Sequence, residues 1–428
     1  MNKLAEELNE RLSGSIASDL LSEFGKRFFF PRGIAAQSAE ATSTAKRYNA
    51  TIGMAFEDGA PMMLPSLAAQ FQSLTSREAV SYAPNGGDAE LRARWSGQIR
   101  QKNPSLGDTP IGTPTVVAGL TNGLAQLADL FVETGDHVII PNQFWGNYRL
   151  IFEERKLAEI RTFPFYTDVG TFDVAGFASA LEVSRDRGKA IVILNFPNNP
   201  TGYSPSEDEA TGIVEAIAAE AARGTKLLVV TDDAYFGLFY EPETHKQSLF
   251  AQLASIHPNV LAAKVDGPTK EDFVWGFRIG FVTFAGAAMT DDQLQALERK
   301  LLGAIRSSIS NSSRPAQSLL LKTMAADQYE SEKKRYFDVL SARYAIVREI
   351  VDGKPTDLLA PLPFNSGYFM SFRVVSNQAE LLRTRLLTER HIGTIAIQDS
   401  YLRVAYSGID DIDIRPLYDE VYSMAASL

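Results

Sequence analysis

Between Thr115 and Ala285 the chain alternates short apolar runs with longer stretches in which apolar positions recur every three or four residues. The runs are TVVAG (115–119), HVIIPN (137–142), IRTFPF (160–165), AIVILNF (190–196), LLVVTD (227–232), NVLAAKV (259–265) and IGFVTFA (279–285). Near-continuous apolar strands separated by helical patterns predict a largely parallel sheet with helices on both faces. After the turn GLTNG (119–123), Leu124, Leu127, Ala128 and Phe131 stand at i, i+3, i+4 and i+7, the stripe of a buried helix. That helix begins at the C-terminal edge of the sheet, where open α/β folds bind ligands.

From Asp291 to about Val351 the pattern becomes helical, interrupted at SSISNSSRP (Ser307 to Pro315), whose Ser, Asn and Pro continue helices poorly. This break is expected to be a hinge between domains. Strands at GYFMSFRVV (367–375) and YLRVAYS (401–407) predict a smaller α+β domain, joined in space by the N-terminal residues. The expected division is a large domain over 53–306 and a discontinuous small domain from 1–52 and 307–428.

A chain of 428 residues is long for one core, and 45% apolar with 22% charged residues is the composition of an ordinary globular protein. The formal charge of −10, with no Lys/Arg block, argues against nucleic acid or an anionic membrane as partner. There is no cysteine, which excludes disulfides, thiolate catalysis and Cys-based zinc sites and suits a reducing compartment; a cytoplasmic location is expected. The first residues, MNKLAEELNERLSGSIASDLLSEF, lack the apolar core of a signal peptide and suit an amphipathic helix. No apolar run approaches the roughly 20 residues that span a bilayer. His137, His245, His257 and His391 are scattered without metal-ligand spacing, so no metal is expected.

Candidate chemistry centres on Lys270, eight residues before Arg278 in KEDFVWGFRIGFV. A lysine amine attacks a carbonyl only when deprotonated, and desolvation or a nearby cation such as Arg278 favours that state. Lys264 is the rival, but it ends a strand-like run and lacks the downstream arginine. Arg278 stands where an apolar strand begins, where a guanidinium needs an anion: a phosphate or a structural carboxylate. The turn GLTNG offers backbone N–H groups, the Thr121 hydroxyl and a helix N-terminus to a phosphate, although glycines in such turns are often only conformational. Asp232 follows an apolar strand and opens DDAY (232–235). A carboxylate there either caps a turn or holds a pyridine nitrogen protonated, and Asp233 could be the cap. Tyr235 and Asn199, the latter in NFPNNPTG (195–202), are donors for a ring oxygen, and Trp145 in NQFWGNY either stacks on a ring or packs in the core. Together these segments supply what a lysine-bound pyridoxal 5'-phosphate needs.

This ordered set resembles fold-type I pyridoxal-phosphate enzymes of the class I/II aminotransferase group, close in pattern to aspartate and aromatic aminotransferases, from about Gly53 to Arg403. The resemblance implies an α/β large domain with a mostly parallel seven-stranded sheet flanked by helices, plus the smaller α+β domain. It implies an imine between Lys270 and the cofactor, Asp232 on the ring nitrogen, Tyr235 and Asn199 on the ring oxygen, and Trp145 on the ring face. Gly119, Leu120, Thr121, Thr269 and Arg278 would surround the phosphate. Tyr82, in YAPNGG, is similar to the tyrosine that reaches the phosphate of the neighbouring subunit, which implies a homodimer with shared sites. Arg403 is similar to the arginine that clamps the substrate α-carboxylate, with Gly53, Asn199 and Trp145 beside the substrate. Arg306, in RSSISN, resembles the arginine that binds a distal carboxylate from across the dimer; a surface helix arginine is the alternative. In one departure, Gly267 stands where many relatives have a serine for the phosphate, which Thr269 replaces only in part.

The implied reaction moves an amino group between an acidic or aromatic L-amino acid and a 2-oxo acid such as 2-oxoglutarate. Another pyridoxal-phosphate reaction on the same fold, a decarboxylation, β-elimination or synthase step, is the alternative. The effector module of a transcription regulator fits poorly, since no basic helix-turn-helix region precedes the motifs.

Overall fold

All seven apolar runs form strands of one sheet in the computed structural model, which describes residues 1–31, 33–287, 289–354 and 357–428. The strands are β1 (Thr115–Val117), β2 (His137–Pro141), β3 (Glu159–Phe163), β4 (Lys189–Leu194), β5 (Lys226–Asp232), β6 (Val260–Asp266) and β7 (Gly280–Ala285). Their order across the sheet is β1-β7-β6-β5-β4-β2-β3. All neighbours are parallel except β7, which runs antiparallel to both β1 and β6. Because side chains alternate between faces, each strand contributes to two cores. Val116, Ile139, Val192, Val229 and Ala262 pack on one face, and Val117, Ile140, Ile193, Val230 and Ala263 on the other.

The helix expected after GLTNG, α1 (Leu120–Phe131), lies on the second of these faces through Leu124, Leu127 and Ala128. Its first turn therefore points its free N–H groups over the C-terminal ends of the strands.

A second, antiparallel sheet contains β8 (Leu359–Pro361), β9 (Phe369–Val374), β10 (Ile395–Ile397) and β11 (Tyr401–Ala405), in the order β8-β9-β11-β10. Met370, Phe372, Leu402 and Val404 pack with the helices Ala379–Arg390 and Asp411–Ala425 into a separate core. Residues 37–50 join it, whereas Arg27 donates to the carbonyl of Glu154 (3.1 Å) beside the large sheet. Tyr48–Asn49 pairs in parallel with Ile392–Gly393, Ala50 is buried in this core, and the Gln37 amide exchanges hydrogen bonds of 2.8 and 3.0 Å with the backbone of Ala396.

Two of the connections between the cores bear on the site. The first is the turn NNPTG, where Gly202 has φ +75° and a Cβ would stand 2.0 Å from the carbonyl oxygen of Phe369, so only glycine permits the approach. The carbonyl of Gly202 accepts hydrogen bonds from the backbone N–H of Asn365 (2.9 Å) and of Ser366 (2.8 Å). The second is α2 (Tyr329–Gly353), whose early residues Tyr329, Tyr336 and Leu340 pack with Tyr235, Phe273 and Phe369, while Tyr344, Val347 and Val351 lie in the second core.

The break at Ser307–Pro315 is present: one helix ends at Ser308 and the next begins at Arg314, capped by Ser313 and with Pro315 in its first turn. It is not where the cores change. Ala316 and Leu320, beyond the break, pack with the large sheet, so the passage falls inside α2.

Candidate active site

The ends of β1, β2, β4, β5 and β6 converge on one cavity of about 460 Å³ lined by Thr121, Trp145, Asn199, Asp232, Tyr235 and Lys270 among others. Lys270 belongs to the short helix Pro268–Glu271, which follows β6 directly. Its Nζ lies 4.8 Å from the centre of the Tyr235 ring, and its carbonyl accepts a 3.1 Å hydrogen bond from the Tyr368 hydroxyl. Burial pulls the amine down to about 8, with Asp232 opposing and Arg278 assisting. Amine and carboxylate thus share one cavity, and a minor fraction of the amine is unprotonated at physiological pH, far more than for a solvated lysine.

Lys264 is excluded as the partner of this cavity by the pleat. It shares a face with Ala262, whereas Asp232 shares the opposite face with Val230. Lys264 is 1% exposed and paired with Asp233 and Asp266. Asp233, which also accepts from Ser248 (2.6 Å), serves this structural network rather than the cavity.

Asp232 ends β5 at 3% exposure. Its Oδ2 accepts a 2.5 Å hydrogen bond from the Tyr148 hydroxyl, and its buried Oδ1 has no partner among the described residues. Burial pushes the carboxyl up to about 6, against the Tyr148 hydrogen bond and the Lys270 charge, which lower it. A buried acceptor atom without a donor is costly and uncommon, and marks a place for a donor from outside the chain. Tyr148 was not singled out from the sequence. It stands in NQFWGNY, but the contact spans 84 residues, and nothing local reveals where the phenol points. Its ring also meets Trp145 edge to face at 5.6 Å.

The turn after β4 is ordered by its own amides. The side chain of Asn195 donates to the carbonyl of Asp232 (2.8 Å) and accepts from the backbone N–H of Asn199 (2.9 Å). Asn199 Oδ1 in turn accepts from Arg403 Nη1 (2.9 Å), while Arg403 Nη2 donates to the carbonyl of Thr51 (2.7 Å). Arg403 comes from β11 of the second sheet, is 2% exposed, and lies 4.2 Å over the Phe369 ring. Its Nε has no partner among the described residues, and burial draws the group down to about 10. No carboxylate among the described residues neutralises this guanidinium, which leaves it ready for an anion. Gly53 sits beside the same residues: a Cβ there would stand 3.2 Å from Tyr235 Oη and 3.3 Å from Phe369 Cζ.

At the other end of the cavity Gly119, with φ +81°, caps α1, and a Cβ on it would stand 2.5 Å from Arg278 Nη2. The guanidinium of Arg278 therefore lies against the turn. The sequence argument for Arg278 needs correction: the residue is exposed, in a left-handed conformation, with Nη1 donating to the carbonyl of Trp275 (2.9 Å). Water stabilises its charge, so no burial cost obliges it to find an anion; its position over Gly119 is what ties it to the site.

Thr269 and Gly267 also differ from expectation. The Thr269 hydroxyl is buried and donates to the carbonyl of Ile279 (3.3 Å), so it does not stand in for a missing serine. A Cβ on Gly267 would stand 3.0 Å from both Gly280 Cα and the Ile279 carbonyl oxygen and 3.1 Å from Leu120 Cδ1. The close approach of β6 and β7, with Leu120 across it, fills the space. Tyr82, 90% exposed, and Arg306, whose Nη1 donates to Ser310 Oγ (2.5 Å), do not line the cavity of their own chain.

Comparison with known proteins places this geometry. Residues 53–421 match the family described as aminotransferase class I and II. The chain is 30% identical over 201 residues to a bifunctional aspartate aminotransferase and glutamate/aspartate-prephenate aminotransferase of Petunia hybrida, covering 47% of this chain and 39% of that protein. It is 31% identical over 207 residues to an aspartate/prephenate aminotransferase of Thermus thermophilus, covering 47% of each. The chain thus spans less than half the length of these curated relatives. A crystal structure of an aminotransferase from Anaerococcus prevotii superimposes with a TM-score of 0.84 at 21% identity, over 95% of this chain and 99% of that one, and so shares the fold. The chain belongs to the aminotransferase class I and II family.

Proposed function

We propose that this protein is a pyridoxal-phosphate-dependent aminotransferase acting between an L-amino acid, acidic or aromatic, and a 2-oxo acid such as 2-oxoglutarate. The observation that carries the reading is the buried Oδ1 of Asp232, without a partner among the described residues, in one cavity with a lysine amine that burial draws down to about 8. When bound, pyridoxal phosphate supplies an aldehyde carbon for an amine and a pyridinium ring that accepts electrons from the substrate Cα.

The residues fit that group. Asp232 Oδ1 would accept the ring N–H, while Tyr148 holds the other oxygen so that the carboxylate cannot rotate away. Trp145, which lines the cavity, would cover the ring face. Tyr235 and Asn199 would border the ring oxygen, and Arg278, Thr121 and the backbone N–H of Leu120 would hold the phosphate at the helix N-terminus, beside Gly119, whose own N–H donates to the Val117 carbonyl (2.8 Å). Lys270 Nζ, drawn down to about 8, carries a proton from and to the substrate Cα near neutral pH. Arg403 binds the α-carboxylate through its free Nε edge, with Gly53 leaving room beside Tyr235. Its bond to Asn199 connects substrate and ring-oxygen contacts in one chain of donors.

The same reading includes a cytoplasmic homodimer in which Tyr82 and Arg306, both exposed in the single chain, reach the partner's site. Arg306 would there favour substrates with a second carboxylate. We also propose two domains, with the passage between them within α2.

The deciding experiment assays ketoacid formed per amino acid consumed, with 2-oxoglutarate as acceptor, in wild type and Asp232→Ala. We expect stoichiometric ketoacid without carbon dioxide or ammonia, and a variant that keeps the cofactor yet loses turnover by several orders of magnitude. Undiminished activity of the variant rejects the assignment. A panel of amino acids with Arg306→Ala, in which only dicarboxylic substrates suffer, tests the distal contact.

A further inference from the structure

Three consecutive residues behind Lys270 are gripped by one stripe of a single helix. Along α2, Tyr329, Lys333 and Tyr336 fall at i, i+4 and i+7, on one face. The Tyr329 hydroxyl donates to Asp272 Oδ1 (2.6 Å), Lys333 Nζ lies 3.1 Å from Glu271 Oε1 and 2.9 Å from Asp272 Oδ1, and the Tyr336 ring meets the Phe273 ring at 4.9 Å. Lys102 completes the set, donating to Glu271 Oε1 at 2.6 Å. Asp272 is 1% exposed, and the Lys333 ammonium compensates this buried carboxylate while sharing Glu271 with Lys102.

The segment so gripped is strained. Phe273 has φ +57° and Arg278 φ +54°, left-handed conformations that are unfavourable for a non-glycine residue and persist only where the surroundings impose them. Between them this segment carries the cavity's amine at one end and its guanidinium at the other. Burial opposes ionisation of Glu271, yet Lys102 and Lys333 draw it down to about 2, which keeps the grip charged across the working pH range.

We propose that Lys333 is a positioning residue: by bridging Glu271 and Asp272 it fixes the backbone that aims Lys270 into the cavity. Because the far half of α2 lies in the second core, this grip also ties the lysine segment to the second sheet, which delivers Arg403 and, through Tyr368, the hydrogen bond to the Lys270 carbonyl. The substrate clamp and the amine are thereby held in one frame. The inference rests on the transaminase reading above.

Its test uses the cofactor-loaded enzyme and Lys333→Met, with Lys334→Met as control, since Lys334 is 72% exposed and pairs with Asp338 on its own helix. We expect Lys333→Met to lower kcat at least about tenfold with the amino-acid KM within about twofold, since small misplacements of reacting groups act on the bound state. The pH midpoint of the visible chromophore at Lys270 should move by half a unit or more, while the control changes neither. Unchanged kcat and midpoint, whether or not the melting temperature falls, would make Lys333 structural only and overturn the proposal. Should Lys333→Met fail to fold, Lys333→Met with Asp272→Asn leaves no unpaired buried charge, and a wild-type midpoint in that variant overturns it equally. If wild type forms no chromophore at Lys270, the transaminase reading itself fails, which is a distinct result.

Discussion

Tyr148 donates its phenolic hydrogen to Oδ2 of Asp232 across 2.5 Å, and this bond decides which carboxylate oxygen faces the cavity. Burial and the adjacent carboxylate push the phenol well above its ordinary pKa, so it remains a neutral donor and leaves the negative charge on Asp232. Tyr148→Phe keeps the packing and removes the bond. A hydrogen bond to a charged group contributes about 1.5–3 kcal/mol, so we expect kcat to fall roughly ten- to a hundredfold, with weaker pyridoxal-phosphate binding. Steady-state kinetics and a cofactor titration read both; wild-type values in each would leave the bond without functional weight.

The stability of the cofactor-free protein should carry the signature of Asp232. Its carboxyl is raised from 3.8 to about 6. Between roughly pH 4 and 6 the folded state therefore binds more protons than the unfolded chain, and the contribution of this group to stability falls as pH rises through that window. Above it the cost is constant, at most about 3 kcal/mol. Asp232→Asn removes the ionisation. We expect its melting temperature to exceed that of wild type by a margin that grows from pH 4 to about 6 and then levels off. A margin independent of pH would show that the carboxyl is not perturbed.

Arg403 is fixed by Asn199 and Thr51 in a plane that leaves Nε open, a geometry a lysine cannot reproduce. Arg403→Lys should lower kcat/KM for α-amino acids by about a hundredfold, the loss of roughly 3 kcal/mol of charge-assisted bonding. Cofactor affinity should stay within a few fold. An amine lacking the carboxylate should react equally slowly with both proteins, and a selective defect toward that amine would count against the clamp.

Supplying the serine found in many relatives should not help this chain. In Gly267→Ser the new Cβ meets the backbone of Ile279 and Gly280, which cannot move without parting two strands. Overpacking of this kind costs about 1–3 kcal/mol, and we expect a lower melting temperature with no gain in pyridoxal-phosphate affinity. Tighter binding by the variant would mean that the phosphate site lacks a contact the backbone could have accommodated.

Much of this was written locally in the chain. The strands read as apolar runs because a parallel sheet buries both faces, and the buried helix after GLTNG read as a stripe because one side of it meets that sheet. Lys270, Asp232, Asn199, Tyr235 and Trp145 were legible because each stands in a short motif whose spacing suits the chemistry, and the fold brings all five to one cavity.

Long-range contacts were decided only by the tertiary structure. Whether Asp232 or Asp233 faces the site depends on the pleat and on Lys264, far along another strand. That Tyr148 backs the carboxylate, that Thr269 turns to Ile279, that Arg278 is exposed and that Gly267 has no room for a side chain all follow from contacts between segments. Likewise the helix break at Ser307–Pro315 was visible in composition, but which core each side joins was not, because burial depends on what another part of the chain presents. A sequence specifies periodicity and chemical type; direction, exposure and the identity of a neighbour exist only once remote segments share a volume.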